Sequence, residues 1–330
     1  MKTLELVVPC YNEEKCIRLL YESVKKVFDE SEVDIDWSVI YVNDGSKDGT
    51  LNEIQRLAEE VNYAGADGNA GADVSACTKK IKYVSFSRNF GKEAAINAGL
   101  SASTADYVAL MDADLQHPPE LLLEMVKELD EGYDVCGARR VSRKGEPVIR
   151  SFFSKLFYMV INRMTSMELV PGGSDFRMMK RPVVEAMVSM PEQGRFTKGI
   201  FSWVGFKTKW IPYHNVERAA GQTSWSFRGL ASYAINGFFA FATTPLRIAV
   251  WLGFLVDAVT LVVSIRYIYR SLTYGAIGNG VGTLTIIVAF FGGTIILILG
   301  VIGEYLARIY LEVKNRPLYI VKETNITLEE

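Results

Sequence analysis

The sequence has little net charge and few cysteines, and each shortage excludes a class of protein. Lys and Arg together number 36 and Asp and Glu number 38, which gives a formal net charge of −2. Nucleic-acid-binding proteins usually carry a strong basic excess, so no nucleic-acid partner is expected. The four cysteines, Cys10, Cys16, Cys77 and Cys136, show neither a C-x-x-C pair nor metal-ligand spacing. They indicate no zinc site and would stay reduced in the cytoplasm.

Charged residues are also nearly absent from one long stretch, Ala231–Ala307, which contains no lysine. Its charged side chains are Arg247, Asp257, Arg266, Arg270 and Glu304. The stretch includes two apolar runs, Ile248–Ile265 and Thr283–Gly303. Each run approaches the ~20 residues that a helix needs to cross a bilayer. Buried core helices are the alternative, but helices of globular proteins average only ~11–12 residues. The pattern therefore predicts two transmembrane helices.

The flanks of these helices indicate how the chain is placed in an inner (plasma) membrane. The apolar run Leu4–Pro9 is too short for a signal peptide, so the N-terminal region should remain in the cytoplasm. Two spans return the C-terminus to the same side, in agreement with the basic residues Arg247, Arg308, Lys314 and Arg316. The predicted order is a cytoplasmic domain over 1–228, a juxtamembrane interfacial helix over 229–244, a two-helix hairpin over 245–308 and a cytoplasmic tail over 309–330.

The first part of the chain alternates short apolar runs with helical patterns. The predicted strands are Leu4–Val8, Trp37–Val42, Ile81–Phe86, Tyr107–Met111 and Asp134–Gly137. This alternation is typical of an α/β fold with a mainly parallel, Rossmann-like sheet and helices on both faces. Ligands of such sheets bind beyond the carboxyl ends of the strands. The stretch Asn62–Lys79, rich in Gly, Ala and Asp, shows no periodicity and predicts a flexible surface excursion, to which we assign no function.

The most specific polar cluster follows the strand Tyr107–Met111. Asp112 and Asp114 lie one residue apart, and the amide of Gln116 follows. Such oxygen donors suit Mg²⁺, which takes one or two carboxylates and completes its shell with water and phosphate oxygens. A metal ion there would neutralise a leaving diphosphate. The alternative is an ordinary Asp-rich turn before a helix.

Three further polar clusters follow the first three strands. They are Val8–Glu14, Asn43–Ser46 and Ser87–Lys92. Tyr11 can stack on a base, and Asp44 can accept hydrogen bonds from a base or a ribose. Arg88 or Lys92 can bind phosphate. Helix caps, turns and surface charges explain each cluster singly, but four polar strand ends on one edge of a sheet favour a binding site.

Two common nucleotide-binding motifs are missing, while four others point to a family. The chain contains no G-x-x-x-x-G-K-[ST], and no G-x-G-x-x-G follows the first strand, which excludes ATPase and dinucleotide sites. The four motifs are Pro9–Glu14, Asn43–Thr50, Arg88–Lys92 and Asp112–Gln116. With the two-helix C-terminal part, they resemble glycosyltransferase family 2, and within it the polyprenyl-phosphate glycosyltransferases, which include bactoprenol glucosyltransferases and dolichyl-phosphate mannose synthases. The resemblance implies a GT-A-type nucleotide-sugar-binding domain.

The resemblance also implies roles for individual residues on the donor side. It places the nucleotide sugar near one set of residues and Mg²⁺ or Mn²⁺ near another. The nucleotide-binding residues are Pro9, Tyr11, Asn12, Glu13, Asp44, Arg88 and Lys92; the metal ligands are Asp112, Asp114 and Gln116. Asp112 and Asp114 are thereby expected to take part in catalysis together with Asp175, which matches an acidic position proposed as the catalytic base.

On the acceptor side, the resemblance implies binding of polyprenyl phosphate by basic residues. Within the matching loop Glu217–Trp225, Ser224 stands where many relatives have lysine. The expected phosphate-binding residues are Arg139, Arg150, Arg218, Ser224 and Arg228. A phosphate monoester is mostly dianionic at pH 7, since its second pKa is ~6. We therefore expect Asp175 to orient the acceptor or to take a residual proton; an ordinary Asp in a Gly-rich turn is the alternative.

The expected activity is metal-dependent, inverting transfer of a sugar to undecaprenyl phosphate at the cytoplasmic face. UDP-glucose is the first choice of donor, and it rests on the resemblance alone. The open alternatives are another sugar (mannose, an N-acetylhexosamine or aminoarabinose), a processive polysaccharide synthase, or a catalytically silent membrane scaffold.

Apolar patterns outside the two spans predict further contact with the lipid bilayer. Ser151–Met164, within a predicted interfacial helix at about 150–164, collects aromatic and aliphatic residues near one face. A buried core helix explains the same pattern. Small residues near one face of the second span permit close packing within the hairpin or between subunits, so a homo-oligomer is expected. They are Ala289, Gly293, Gly300, Gly303 and Ala307.

Overall fold

A computed structural model describes residues 1–63, 80–141, 170–214, 244–274 and 280–326, together with Met159 and Asn162. Several of the predicted features lie outside these residues. Three predicted segments lie mostly outside: the excursion within 62–79, the interfacial helix at about 150–164 and the juxtamembrane helix over 229–244. The acceptor-side residues Arg150, Arg218, Ser224 and Arg228 lie outside as well.

The described chain is built on an eight-stranded mixed sheet in the order β7-β5-β6-β4-β1-β2-β3-β8. The strands are β1 (Lys2–Cys10), β2 (Ile35–Asn43), β3 (Ile81–Phe86), β4 (Tyr107–Leu110), β5 (Val135–Arg140), β6 (Gly173–Lys180), β7 (Thr208–Tyr213) and β8 (Val321–Thr324). Strands β4, β1, β2 and β3 pair in parallel. Strand β6 is antiparallel to β4 and β5, and β8 is antiparallel to β3.

Helices cover both faces of the sheet. They are α1 (Ile17–Asp29), α2 (Thr50–Tyr63), α3 (Lys92–Ala102), α4 (Leu121–Asp130), α5 (Arg181–Val188) and α6 (Thr197–Trp203). Alternate residues of each strand face opposite sides, so Leu6 of β1 belongs to the core cluster that includes α1, α2 and α4, while Val7 belongs to the cluster that includes α3, α5 and α6. Burying one such aliphatic side chain contributes roughly 1.5–3 kcal/mol.

The predicted α/β fold class, with helices on both faces of a sheet, is confirmed, and each of the five predicted strands is present. The sheet is more mixed than predicted because it also contains the antiparallel strands β6 and β8. In β6 the charged residues Asp175 and Arg177 interrupt the apolar pattern, and pairing with β4 and β5 holds this segment extended.

Two long helices follow: α7 (Thr244–Tyr274) and α8 (Val281–Lys314). Within them, Ile248–Arg270 has a mean hydropathy of 2.3 and Phe290–Lys314 a mean hydropathy of 1.9. Both segments are long and apolar enough to cross a membrane. Almost none of this apolar surface is buried within the protein; Trp251, for example, is 72% exposed.

The chain after α8 returns to the sheet and completes it. Strand β8 pairs with β3, and the Asn325 side chain accepts a hydrogen bond from the Tyr83 N–H (2.7 Å) and donates one to the Ile81 carbonyl (3.0 Å). Before β8, the Glu312 carboxylate accepts a hydrogen bond from the Gln193 N–H (2.9 Å). The tail, to which the sequence pattern assigned no structure, is therefore an integral part of the α/β domain.

Candidate active site

The loops after β1 and β2 are joined by backbone and side-chain hydrogen bonds. Asn12 adopts a left-handed backbone conformation (φ 57°). Its N–H donates to the Ser46 hydroxyl (3.0 Å), and its side-chain oxygen accepts from the Lys47 N–H (2.9 Å). The Glu13 N–H donates to the Thr50 hydroxyl (2.9 Å). These contacts leave Tyr11 39% exposed at the rim, accessible to an aromatic ligand.

Asp44 joins the loop after β2 to the loop after β3. Its carboxylate accepts hydrogen bonds from the N–H groups of Phe90 (2.6 Å) and Gly91 (2.9 Å). Burial raises the pKa of Asp44, and the two backbone donors offset only part of that effect. Both carboxylate oxygens thus hold the neighbouring loop, while a direct contact of Asp44 with a base or ribose stays a prediction.

The loop after β3 presents two cations in different directions. Arg88 is exposed and lies over the Phe90 ring, with the guanidinium carbon 4.1 Å from the ring centroid. Its guanidinium also donates to the Asn89 carbonyl (3.0 Å). Lys92, the first residue of α3, extends instead toward the ends of β4 and β6. Arg88 is therefore placed at the rim and Lys92 within the site.

The two predicted metal-binding carboxylates follow β4 and are each partly buried. Asp114 accepts a hydrogen bond from the Gln116 N–H (3.2 Å) across a turn in which Leu115 has a φ of 55°. Among the residues that the structure describes, no three His, Cys, Asp or Glu side chains cluster in a way that could hold a metal ion. The donor set nevertheless fits Mg²⁺, which needs only one or two protein carboxylates when a substrate supplies phosphate oxygens.

Asp175 on β6 lies beside this pair because β6 runs antiparallel next to β4. The Lys92 ammonium is 2.6 Å from the Asp112 carboxylate and 2.9 Å from the Asp175 carboxylate. A second lysine, Lys198 of α6, is 3.8 Å from the other Asp175 oxygen. The sequence predicted Lys92, Asp112 and Asp175 as site residues, but it contained no signal for Lys198, which only the packing of α6 brings to the site.

The surrounding charges keep Asp175 ionised. Burial alone would raise the pKa of Asp175, but the positive charges of Lys198, Lys92 and Arg177 outweigh it and hold that pKa well below its usual range. The pKa of Lys92 is raised, since Asp112 and Asp175 outweigh the effect of burial on its ammonium. At neutral pH Asp175 is thus a charged carboxylate and Lys92 a charged ammonium.

Two other predicted residues lie on the neighbouring strands β1 and β5. Pro9 is part of β1 and pairs with Val42. Arg139 is exposed at the end of β5, and its guanidinium donates to the Pro171 carbonyl (3.2 Å). Arg177, which was not predicted, is 3% exposed and stacks on Phe201, with 3.5 Å between the guanidinium carbon and the ring centroid.

Comparison with known proteins identifies the family of this chain. The model of the glycosyl transferase family 2 matches residues 5–188. The chain belongs to glycosyl transferase family 2. An uncharacterised glycosyltransferase of Synechocystis sp. is 39% identical over 320 residues, which cover 97% of this chain and 95% of that protein. The bactoprenol glucosyl transferase of Shigella phage SfII is 33% identical over 322 residues, which cover 98% of each chain.

Solved structures are also similar to this glycosyltransferase. The mannosyl-3-phosphoglycerate synthase of Rubrobacter xylanophilus matches with a TM-score of 0.44 and 14% identity, over 72% of each chain. The predicted family resemblance is confirmed by the family match and by relatives aligned over almost their whole length. The protein is a glycosyltransferase, as its four strand-end motifs predicted.

Proposed function

We propose that this glycosyltransferase transfers a sugar from a nucleotide sugar to polyprenyl phosphate at the cytoplasmic face of a membrane. The observation that carries the proposal is the juxtaposition of Asp112, at the donor-side strand end, with Asp175 through the shared Lys92 ammonium. It is supported by the relatives named for bactoprenol glucosylation, one of which aligns over 98% of both chains.

On the donor side, the rim loops suit a nucleoside diphosphate. Exposed Tyr11 can stack on the base, and the Arg88 guanidinium can bind phosphate bidentately. Asp112, Asp114 and Gln116 would hold Mg²⁺ or Mn²⁺, which when bound neutralises the charge on the leaving diphosphate. UDP-glucose is the proposed donor; mannose, N-acetylhexosamine or aminoarabinose donors are outcomes that the assay below distinguishes.

On the acceptor side, little proton transfer is needed because the nucleophile is already an anion. An acceptor phosphate oxygen forms the new bond to the anomeric carbon, and the bond from that carbon to the diphosphate oxygen breaks with its electron pair on the diphosphate. Attack from the opposite face inverts the configuration. An ionised Asp175 with a depressed pKa is a weak base, so its role is to orient the acceptor together with Lys198. Arg139, Arg150, Arg218, Ser224 and Arg228 are the proposed phosphate contacts.

The two apolar helices are proposed to place the site next to its lipid substrate. We assign α7 and α8 to two membrane spans, with the α/β domain and the C-terminus in the cytoplasm. Strand β8 follows α8 after residues 315–320 and belongs to the same sheet as β1–β4, which agrees with a C-terminus on the side of the domain. Small residues on α8 suit packing against a second copy in a homo-oligomer.

A transfer assay tests the proposal. The purified full-length protein is incubated with undecaprenyl phosphate, Mg²⁺ or Mn²⁺ and a panel of nucleotide sugars, and the lipid product is identified by mass spectrometry. We expect one hexose added per lipid, from UDP-glucose. Polymer formation would indicate a processive synthase instead, and no product with any donor would refute sugar transfer to this lipid.

Matched variants locate the activity in the proposed site. Asp114→Asn should lower the rate at least about 100-fold, since metal assistance contributes several kcal/mol to such reactions. Asp175→Asn should lower it as well, because the amide cannot balance the charges of two lysines. Asp34→Asn serves as the control, since Asp34 is exposed just before the amino end of β2, and it should retain the full rate.

A further inference from the structure

Lys92 connects two carboxylates that belong to different strand ends. It is the first residue of α3 and follows Gly91, whose φ of 101° starts the helix sharply. Its ammonium is 2.6 Å from Asp112 and 2.9 Å from Asp175. An ammonium has three donor hydrogens, and this geometry uses two of them on carboxylates. The side chain is 34% exposed, which leaves it room to move.

The two carboxylates differ in how much they depend on Lys92. Asp175 also has Lys198 at 3.8 Å, and Arg177 adds a third positive charge nearby. Within the described part of the chain, Lys92 is the cationic side chain found in ion-pair contact with Asp112. Removal of the Lys92 charge would therefore leave Asp175 paired but would free Asp112.

Asp112 is also one of the carboxylates proposed to hold a divalent cation. Two cations at one carboxylate repel each other, and the repulsion is strong where water is partly excluded. Negative phosphate oxygens arriving with the donor would offset this repulsion and offer the ammonium a new partner. The Lys92 side chain lies close enough to Asp112 to compete for it directly, whereas Lys198 contacts Asp175 instead.

We propose that Lys92 occupies Asp112 in the donor-free protein and releases it when a nucleoside diphosphate binds, so that Lys92 makes divalent-metal binding depend on the nucleotide. This inference rests on the metal-dependent donor site of the proposed function. Lys92 is thereby a positioning residue for metal capture, in addition to a phosphate contact. Before the donor is present, Asp112 and Asp114 are thereby kept from holding a metal ion.

Binding of Mn²⁺ to the full-length protein tests this role without any turnover. The dissociation constant for Mn²⁺ is measured by electron paramagnetic resonance, with and without UDP, for the wild type and for Lys92→Met. We expect UDP to tighten Mn²⁺ binding to the wild type. Lys92→Met should tighten binding in the absence of UDP by about tenfold, within the usual range of coupling between two sites, and should shrink the effect of UDP by a similar factor.

Two further variants make the result specific. Lys198→Met removes a lysine from Asp175 but not from Asp112, so its Mn²⁺ affinity without UDP should stay at the wild-type value. Lys92→Arg keeps the charge and should also bind Mn²⁺ as weakly as the wild type. Lys92→Gln removes the charge but keeps a polar side chain; it should tighten Mn²⁺ binding as Lys92→Met does, and it supplies the answer if Lys92→Met does not fold. Equal tightening by Lys198→Met would show a general charge effect and overturn the assignment to Lys92.

The remaining outcomes separate this inference from the proposed function. If the wild type binds Mn²⁺ more tightly with UDP but Lys92→Met leaves both affinities unchanged, the role of Lys92 is wrong and the donor site stands. If the wild type binds no Mn²⁺ in either condition, the metal-dependent donor site itself is wrong, and the inference is overturned with it.

Discussion

Phe86 and Tyr319 stack face to face, with ring centroids 4.8 Å apart and an angle of 14° between the ring planes. Phe86 ends β3, and Tyr319 precedes β8 in the tail after the long helices. Phe86 also meets Phe90 edge to face at 5.8 Å, and Phe90 lies under Arg88 and donates its N–H to Asp44. A row of aromatic rings thus connects the C-terminal tail to the loop that presents Arg88 and Lys92.

Loss of the Tyr319 ring should remove support from the loop that presents Arg88 and Lys92. Tyr319→Ala is expected to destabilise the protein by about 1–3 kcal/mol, since it removes a stacked and partly buried ring. It should also raise the KM for the nucleotide sugar more than it lowers kcat. Thermal unfolding in detergent and initial-rate kinetics measure the two effects. Tyr319→Phe keeps the stack and loses only the hydroxyl, which is hydrogen-bonded to Ser101, so it should lose much less than Tyr319→Ala in both; an equal loss in both variants would contradict a role for stacking.

Gly45 fixes the distance between the loops after β2 and β3. It has a φ of 63°, and a Cβ atom there would lie 2.3 Å from the Arg88 carbonyl carbon and 2.6 Å from the Asn89 nitrogen. Gly45→Ala must therefore move the loop that Asp44 holds, and should cost at least about 2 kcal/mol together with most of the transfer activity. Gly194→Ala is the control, since a Cβ at Gly194 meets nothing within 4 Å. A stable, active Gly45→Ala protein would refute this packing.

The sequence was informative where local pattern determines structure. Asp112 and Asp114 directly follow a continuous apolar strand, and parallel strands bring their carboxyl ends to one edge, so the position of both residues at that edge of the sheet was predictable. The placement of Asp175 beside this pair was not predictable. Whether β6 lies beside β4, and in which direction it runs, depends on pairing between distant segments, for which a single sequence has no signal.

Lys198 and the C-terminal tail are placed by contacts between distant segments as well, which the sequence does not reveal. Lys198 reaches Asp175 because α6 packs on the face of the sheet that carries α3, and nothing in the neighbouring residues marks it as part of a site. Strand β8 is short and polar, with the sequence Val-Lys-Glu-Thr. It is a strand because the edge of β3 has free backbone groups to pair with, and that edge cannot be located from the composition of the tail.

Glu5 should give the protein a stability that disappears in acid. Its side chain is buried, pairs with Lys82 and accepts hydrogen bonds from the N–H groups of Thr104 (2.8 Å) and Ala105 (3.1 Å). Burial alone would raise the pKa of Glu5, but Lys82 and the hydrogen-bond donors, Ser103 among them, outweigh it and lower that pKa. Glu5→Gln is expected to cost about 2–4 kcal/mol at pH 7, as breakage of a buried pair does.

The sign of the pH effect follows from that lowered pKa. The unfolded chain has a Glu pKa of ~4.3, so the stabilisation is complete above this pH and is lost as the pH falls through the lower folded value. The difference in unfolding midpoint between wild type and Glu5→Gln should be constant from about pH 6 to 8 and shrink below about pH 4. Asp36→Asn, which breaks a more exposed pair with Lys80, should cost less than about 1 kcal/mol. A difference that grows toward acid would contradict the assignment.

Removal of the two long apolar helices α7 and α8 should leave a soluble domain only if the tail is retained. In one variant, residues 229–311 are replaced by a flexible Gly/Ser linker of ~20 residues, whose typical span is ~25 Å, and the chain from Glu312 onward is kept. A second variant ends at residue 228.

The first variant keeps β8 on β3, Tyr319 on Phe86 and the Glu312 hydrogen bond to Gln193. It should be monodisperse without detergent and should bind UDP. The second exposes the edge of β3 and a buried aromatic ring, and it should aggregate. Size-exclusion chromatography and UDP titration measure both properties, and equal behaviour of the two variants would show that β8 contributes nothing to the domain.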